Sequence, residues 1–342
     1  MDIRRVQMTG GSSYVLTLPK DWVTSLNIRK NDPVGVMIQA DGDLMITGNL
    51  TGDLPPRTRV VNIEQGMDSQ MLFRILVGIY IAGYNIIEIR SKDRIQGTLR
   101  RTIRAFSDQV IGLEPVEEEE TVIILRDLFN PLDMPLETSF RRMYAVTTGM
   151  LTDSAEGLKS GDLARIQDVE FRDRDVDRLF WLISRQTSMI LQSPRNAERM
   201  KTTISEVLHY LQTGRIVERV ADHAVLISRS VGMIGSGAIA EEVRFMISRA
   251  MSEADKLFEQ SVSAFFSHDM KKANRVLGSA SPLEQSLHQI NQDILALPTD
   301  SVMIARKITD SIRRIGEYSG DIAERVIDFG VVPDADSDSS SA

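Results

Sequence analysis

The sequence predicts a multidomain, mainly α protein: a small N-terminal β domain, a small α/β domain, then two tandem three-helix bundles. Three observations carry this. Residues 1–48 form short alternating runs broken by Gly-rich turns. Residues 58–128 switch repeatedly between strand-like and helix-like apolar periods. From 135 to 332 the apolar positions keep a three-and-four spacing, interrupted only at Gly- and Pro-containing breaks.

In residues 1–48, RRVQM and YVLTLP flank the turn TGGSS, and VGVMIQ and LMITG flank ADGD, whose Asp-Gly step is a hairpin signal. Between the hairpins PKDWVTSLNI opens on proline and reads as a short helix. Two hairpins and one short helix leave sheet edges that a single copy cannot cover, so a homodimer through this domain is expected. In residues 58–128, VVNIE and YNIIEIR read as strands, MDSQMLFRILVGIYIAG and IQGTLRRTIRAF as helices, and QVIGLEPV and TVIILRDL as closing strands. The second helix is basic through Arg94, Arg100, Arg101 and Arg104. An anion- or nucleic-acid-binding face is one reading; a solvated helix balanced by the run Glu117 to Glu120 is favoured.

The helical region divides at QSPRN, GMIGSG and LPTD into six segments, three in 135–234 and three in 238–332. An internal duplication is expected, because RIVERVAD at Arg215 to Asp222 matches RIGEYSGD at Arg314 to Asp321 in Arg, Ile, Glu and Asp. The tail at 333–342 is acidic and of low complexity, the composition of a disordered segment.

Composition narrows the function classes. The 342 residues are 42% hydrophobic and 26% charged, with net charge -8, so the molecule as a whole is not a generic nucleic-acid binder. With no cysteine, disulfides, thiolate zinc sites and cysteine nucleophiles are excluded. The N-terminus lacks a signal-peptide core, and the longest apolar run, Ile75 to Tyr84, is far short of the ~20 residues that span a bilayer. A soluble, cytoplasmic chain without stable membrane insertion is expected.

The chemistry concentrates in GRIVERVADHAVLIS, Gly214 to Ser228. Ile204, Val207, Leu211, Gly214, Ala221, Val225, Ser228 and Gly232 trace a packed helix seam, and the missing member is Glu218. Asp222 lies four residues on, about 40° further round. In the preceding helix Asp173 and Asp177 share one face, beside Glu170 and bordering Val169, Val176 and Phe180. Like charges gathered beside a core require protonation, arginine partners such as Arg215, Arg219 and Arg229, or cations. Oxygen-only donors suit hard or borderline cations.

Two resemblances follow from these motifs. QMTGGSSYVLTLPKDW, NIRKNDPV and ADGDLMI resemble the AbrB/SpoVT-like swapped-hairpin domain. This resemblance implies intertwined dimers and, in many members, DNA binding through basic residues, here Arg4, Arg5, Lys20, Arg29 and Lys30. Those five are matched by Asp2, Asp21, Asp32, Asp41 and Asp43, which favours dimerisation alone over a DNA-binding face. SGDLARIQDVEFRDRDVDRL and GRIVERVADHA resemble the PhoU family of phosphate-uptake regulators. That resemblance covers about three fifths of the chain. It implies two three-helix repeats that hold divalent or trivalent metal ions (Fe, Mn, Mg or Zn), including multinuclear clusters, on E/DxxxD pairs. It also implies restraint of phosphate uptake through contact with a phosphate transporter and a sensor kinase. By position, one metal site falls on Asp173, Asp177, Glu218 and Asp222, and a second on Glu284, Glu317 and Asp321. The second departs from the pattern, since Ala280 stands where the first aspartate is expected and Arg313 can pair with Glu317.

Two rival readings remain. An enzyme of the di-metal carboxylate type needs two ExxH motifs, and this chain has one, Glu206 to His209. No phosphate-cradling Gly-rich loop with its lysine is present, so catalysis is not expected. A DNA-binding transcriptional regulator whose bundle senses metal or phosphate is the alternative to a metal-binding adaptor.

Overall fold

The computed structural model describes residues 2–38, 42–50, 55–233 and 239–331. The acidic tail at 333–342, the tip of the second hairpin and most of the GMIGSG break lie outside the described residues. The chain divides into two compact units, the first built on residues up to Pro55 and the second from Pro56 to Pro333.

In the first unit β1 (Gln7–Thr9) pairs antiparallel with β2 (Ser13–Val15), and β3 (Gly35–Ile38) pairs antiparallel with β4 (Leu44–Thr47). Each hairpin is a separate two-stranded sheet. The short helix α1 (Lys20–Ser25) follows Pro19 and buries no residue. Apolar side chains stay open to solvent here, with Ile3, Tyr14 and Ile38 each more than three-quarters exposed. Such a unit lacks the buried area that sustains an independent fold.

The second unit begins with the expected α/β domain: β5 (Thr58–Asn62), α2 (Ser69–Ile81), β6 (Ile86–Arg90), α3 (Gly97–Gln109), β7 (Leu113–Glu118) and β8 (Val122–Asp127). The sheet order is β5-β6-β8-β7, parallel across β5/β6 and antiparallel elsewhere. Asp68 starts α2 by accepting the Met71 amide. Leu72, Leu76, Ile87, Ile89, Phe106 and Leu125 make its core. Of the four arginines expected on the second helix, Arg94 precedes α3 and approaches Glu120 at 3.9 Å, while Arg104 on α3 pairs with Glu118 of β7 at 3.3 Å.

The rest is helical: α4 (Leu136–Ser160), α5 (Leu163–Gln192), α6 (Pro194–Met200), α7 (Ile204–Gly232), α8 (Glu241–Ser267), α9 (Met270–Gly278), α10 (Ser281–Asp293) and α11 (Thr299–Gly330). The motif SGD joins the first pair. Gly161 ends α4 in the left-handed conformation at φ 74, and Asp162 caps α5 by accepting the amides of Ala164 and Arg165. Two expected segments are broken. Lys201, at φ 50, separates α6 from α7. In the second repeat the middle helix divides into α9 and α10 around Ser279 and Ala280, with Pro282 in the first turn of α10, where its missing N–H costs nothing. The two repeats share one hydrophobic core, running from Leu132 to Val326.

The α/β domain and the bundle are tied through α5. Arg185, wholly buried, donates to the carbonyls of Tyr80 and Tyr84 at 2.8 Å, pairs with Asp127, and stacks over the Tyr80 ring at 4.5 Å. Gln186 donates to the carbonyls of Pro131 and Met134. Gly83 ends the α2 turn at φ +80, and a Cβ there would meet Met189 at 2.8 Å, so close approach of this turn to α5 requires glycine.

Candidate functional site

Helices α5 and α7 pack together and carry the predicted carboxylates on their shared border. Val169, Val176, Val217, Val220 and Ala221 are fully buried and fix the two helices face to face. The α7 seam is observed from Val207 to Ser228; its outermost expected members, Ile204 and Gly232, are exposed. Glu218 occupies the seam position with its side chain 15% exposed, and Asp173 and Asp177 are half-buried.

The four carboxyls of the first predicted site are brought together. Burial, then the charges of Asp173, Glu218 and Asp222, push Asp177 from 3.8 to about 7. Asp173 is raised by burial and by Asp222. Burial raises Glu218 and Asp222 as well, against the opposing pull of Arg215. Compensation by arginine is partial. Arg215 reaches Glu218 at 3.1 Å and Arg229 reaches Glu170 at 3.2 Å. Among the described residues Asp173, Asp177 and Asp222 form no ion pair. The donor set is chemically suited to a hard cation. As placed, however, no group of three or more acidic or histidine side chains among the described residues is arranged to hold a metal ion.

The second predicted set is not brought to one point. Glu317 is held by Arg313 and by Arg314, the latter at 2.9 Å. Glu284 is exposed on α10 and lines a small cavity with Glu317 and Arg313. Asp321 lines a different space, a groove shared with Arg219 and Arg325. Among the described residues, arginine ion pairs in this set fall on Glu317 alone, while burial and the Glu317 charge raise Asp321. The physical reason is the polar stripe of α11, which offers two guanidiniums one turn from Glu317.

The two members of the ExxH motif face different neighbours. Glu206 bonds the Thr202 hydroxyl, and the His209 ring stacks between Phe265 and Phe329 at 4.6 and 4.3 Å. In the first unit Arg4 pairs with Asp2 at 2.6 Å, while Arg5, Lys20, Arg29 and Lys30 are exposed. Sequence reasoning missed Arg185. Its signal was available: one arginine in the otherwise uncharged stretch LFWLISRQTSMIL.

Comparison with known proteins agrees with this layout. Residues 140–231 match the PhoU domain family model, and residues 7–47 match the model for antidote-toxin recognition MazE, bacterial antitoxin. PhoU from Pseudomonas aeruginosa superposes with TM-score 0.51 at 15% identity, covering 57% of this chain and 94% of that one. The phosphate transport system regulatory protein PhoU from Streptococcus pneumoniae gives TM-score 0.49 at 17% identity, covering 57% and 93%. No curated protein matches the chain. The helical region thus has a PhoU-like fold, preceded by a MazE/AbrB-like domain. Among the described residues no helix is long and apolar enough to cross a membrane.

Proposed function

We propose that the chain is a PhoU-like regulator of phosphate uptake that works by binding, as an adaptor toward a phosphate transporter or sensor kinase. The observation that carries this reading is the four-carboxylate border of α5 and α7 inside the PhoU-matching segment. A border with mutually repelling carboxylates is a two-state element. Uncompensated, it favours separation of the helices; neutralised, it favours closure. A cation would be held by Asp173, Asp177, Glu218 and Asp222, supplying charge neutralisation. The N-terminal unit, with its open hairpin edges, sets a homodimer.

Deleting the gene should raise phosphate uptake in phosphate-replete medium, and Glu218→Ala with Asp222→Ala should partly reproduce the deletion. The competing DNA-reading regulator is favoured by the match at 7–47. It predicts that Arg4→Ala with Arg5→Ala gives the deletion phenotype while the dimer persists. Unaltered uptake in the deletion strain, with specific DNA binding that survives about 200 mM salt, would replace the adaptor by that regulator.

A further inference from the structure

Helix α7 packs against α4, α5 and α11, yet one stripe along its whole length stays open to solvent. The apolar members of that stripe are Ile204, Leu208 and Leu211 near its start and Leu226 and Met233 near its end. Leu211 is half-buried, and the other four are each between 37% and 65% exposed. Arg215, Arg219, Asp222 and Arg229 complete the stripe, all exposed. At about 100° per residue the nine positions fall within about 80° of arc, and at roughly 1.5 Å per residue they extend over about 44 Å. Apolar side chains recurring at three-and-four spacing on an open helix face are the pattern of a helix–helix contact.

The order of residues along the stripe identifies the partner. Reversed about the bond between Glu218 and Arg219, the stripe matches itself. Ile204 comes opposite Met233, Leu211 opposite Leu226, Arg215 opposite Asp222, and Arg219 opposite Glu218. Leu208 comes opposite Arg229, whose aliphatic stem can cover it while the guanidinium stays with Glu170. Arg219 and Asp222 form no ion pair among the described residues, so the reversed copy offers a counter-charge to each. A parallel pair in register would instead set Arg215, Arg219, Asp222 and Arg229 each against its own copy, like charge on like. We infer that α7 is an interaction surface for a second copy of this chain, which docks its own α7 antiparallel about a two-fold axis at Glu218 and Arg219. This contact is separate from the hairpins, requires no metal and does not rest on a role in phosphate uptake. Where the hairpins pair as well, four copies assemble, and loss of residues 1–48 still halves the mass.

The chain has no cysteine, so introduced thiols report without background. Leu211→Cys with Leu226→Cys in the full chain places two thiols fifteen residues apart on one helix, about 22 Å, too far for a bond within the chain. Across the antiparallel pair the two positions meet. Mild oxidation should give one covalent two-chain band on a non-reducing denaturing gel, at least about tenfold faster than either single variant. Arg215→Asp in the double variant should slow the bond at least about tenfold, and adding Asp222→Arg should restore it, although the contacts of Arg215 with Phe180 and Glu218 stay lost. Ile204→Cys with Met233→Cys, at the exposed ends of the stripe, repeats the test without touching the core. The pairing is overturned by a single variant that cross-links as fast as the double one, by a ladder of longer products, or by the absence of a two-chain band from both cysteine pairs. A rate that Arg215→Asp leaves unchanged overturns it equally.

Discussion

Replacing Asp177 by asparagine should stabilise the protein, and by an amount that depends on pH. In the fold its carboxyl titrates at about 7 rather than 3.8, because burial and three neighbouring carboxylates disfavour its charge. A raised carboxyl pKa contributes stability below pH 4 that is lost as pH rises through 7. The displacement is about three units, or about 4 kcal/mol at roughly 1.4 kcal/mol per unit. Solvent screening at a half-buried position and the sharing of protons across the cluster reduce this to about 2 kcal/mol. Asp177→Asn should therefore raise the melting temperature at pH 8 in chelator by about 4 °C, and by under half as much at pH 5. Thermal unfolding followed by circular dichroism at both pH values measures it. Adding Mn²⁺ or Mg²⁺ should stabilise the wild type more than the variant. A variant that melts lower at pH 8, or gains equally at pH 5 and pH 8, refutes the electrostatic account of this border.

Three further outcomes are expected. The proposed dimer through the open hairpins predicts that removing residues 1–48 about halves the mass measured by light scattering; an unchanged oligomer refutes it. Arg185→Met should cost about 3–5 kcal/mol in denaturant unfolding by leaving Asp127 buried and charged, and adding Asp127→Asn should recover part of it. Burial between Phe265 and Phe329 lowers His209 to about 4. Its contribution is complete above pH 6.5 and is lost as pH falls toward 4, so His209→Phe should flatten acid destabilisation in that window.

The α/β order was legible because Gly, Asn and Asp turns punctuate runs whose apolar period changes from two to 3.6. The clustering of carboxylates on the α5/α7 border was legible because a carboxylate interrupts a regular seam at position 218. The break at Ser279 and Ala280 was not read, although GSASP carries the glycine and proline that produce it. Periodicity continues on either side, and apolar spacing alone does not reveal a change of helix axis. That Glu284 and Glu317 line one cavity while Asp321 lines another groove was also out of reach. It depends on which neighbour each carboxylate faces, and the arginines that capture Glu317 lie one turn away on the same helix.

Helix α5 imposes a length constraint on the gene. Asp177 belongs to the acidic border, Trp181 to the groove wall and Arg185 to the buried tie with the α/β domain, at successive steps of four residues. Each step is about 6 Å along the axis and about 40° round it. A single inserted or deleted codon between Asp177 and Arg185 would turn everything beyond it by about 100°, swinging the guanidinium out of its cage or the carboxylate into the core. A side-chain exchange along this stretch acts at one contact, whereas a change in its residue count displaces every contact beyond it. Insertions are tolerable only outside this stretch, so a label or fused domain belongs in the connecting loops and not in α5.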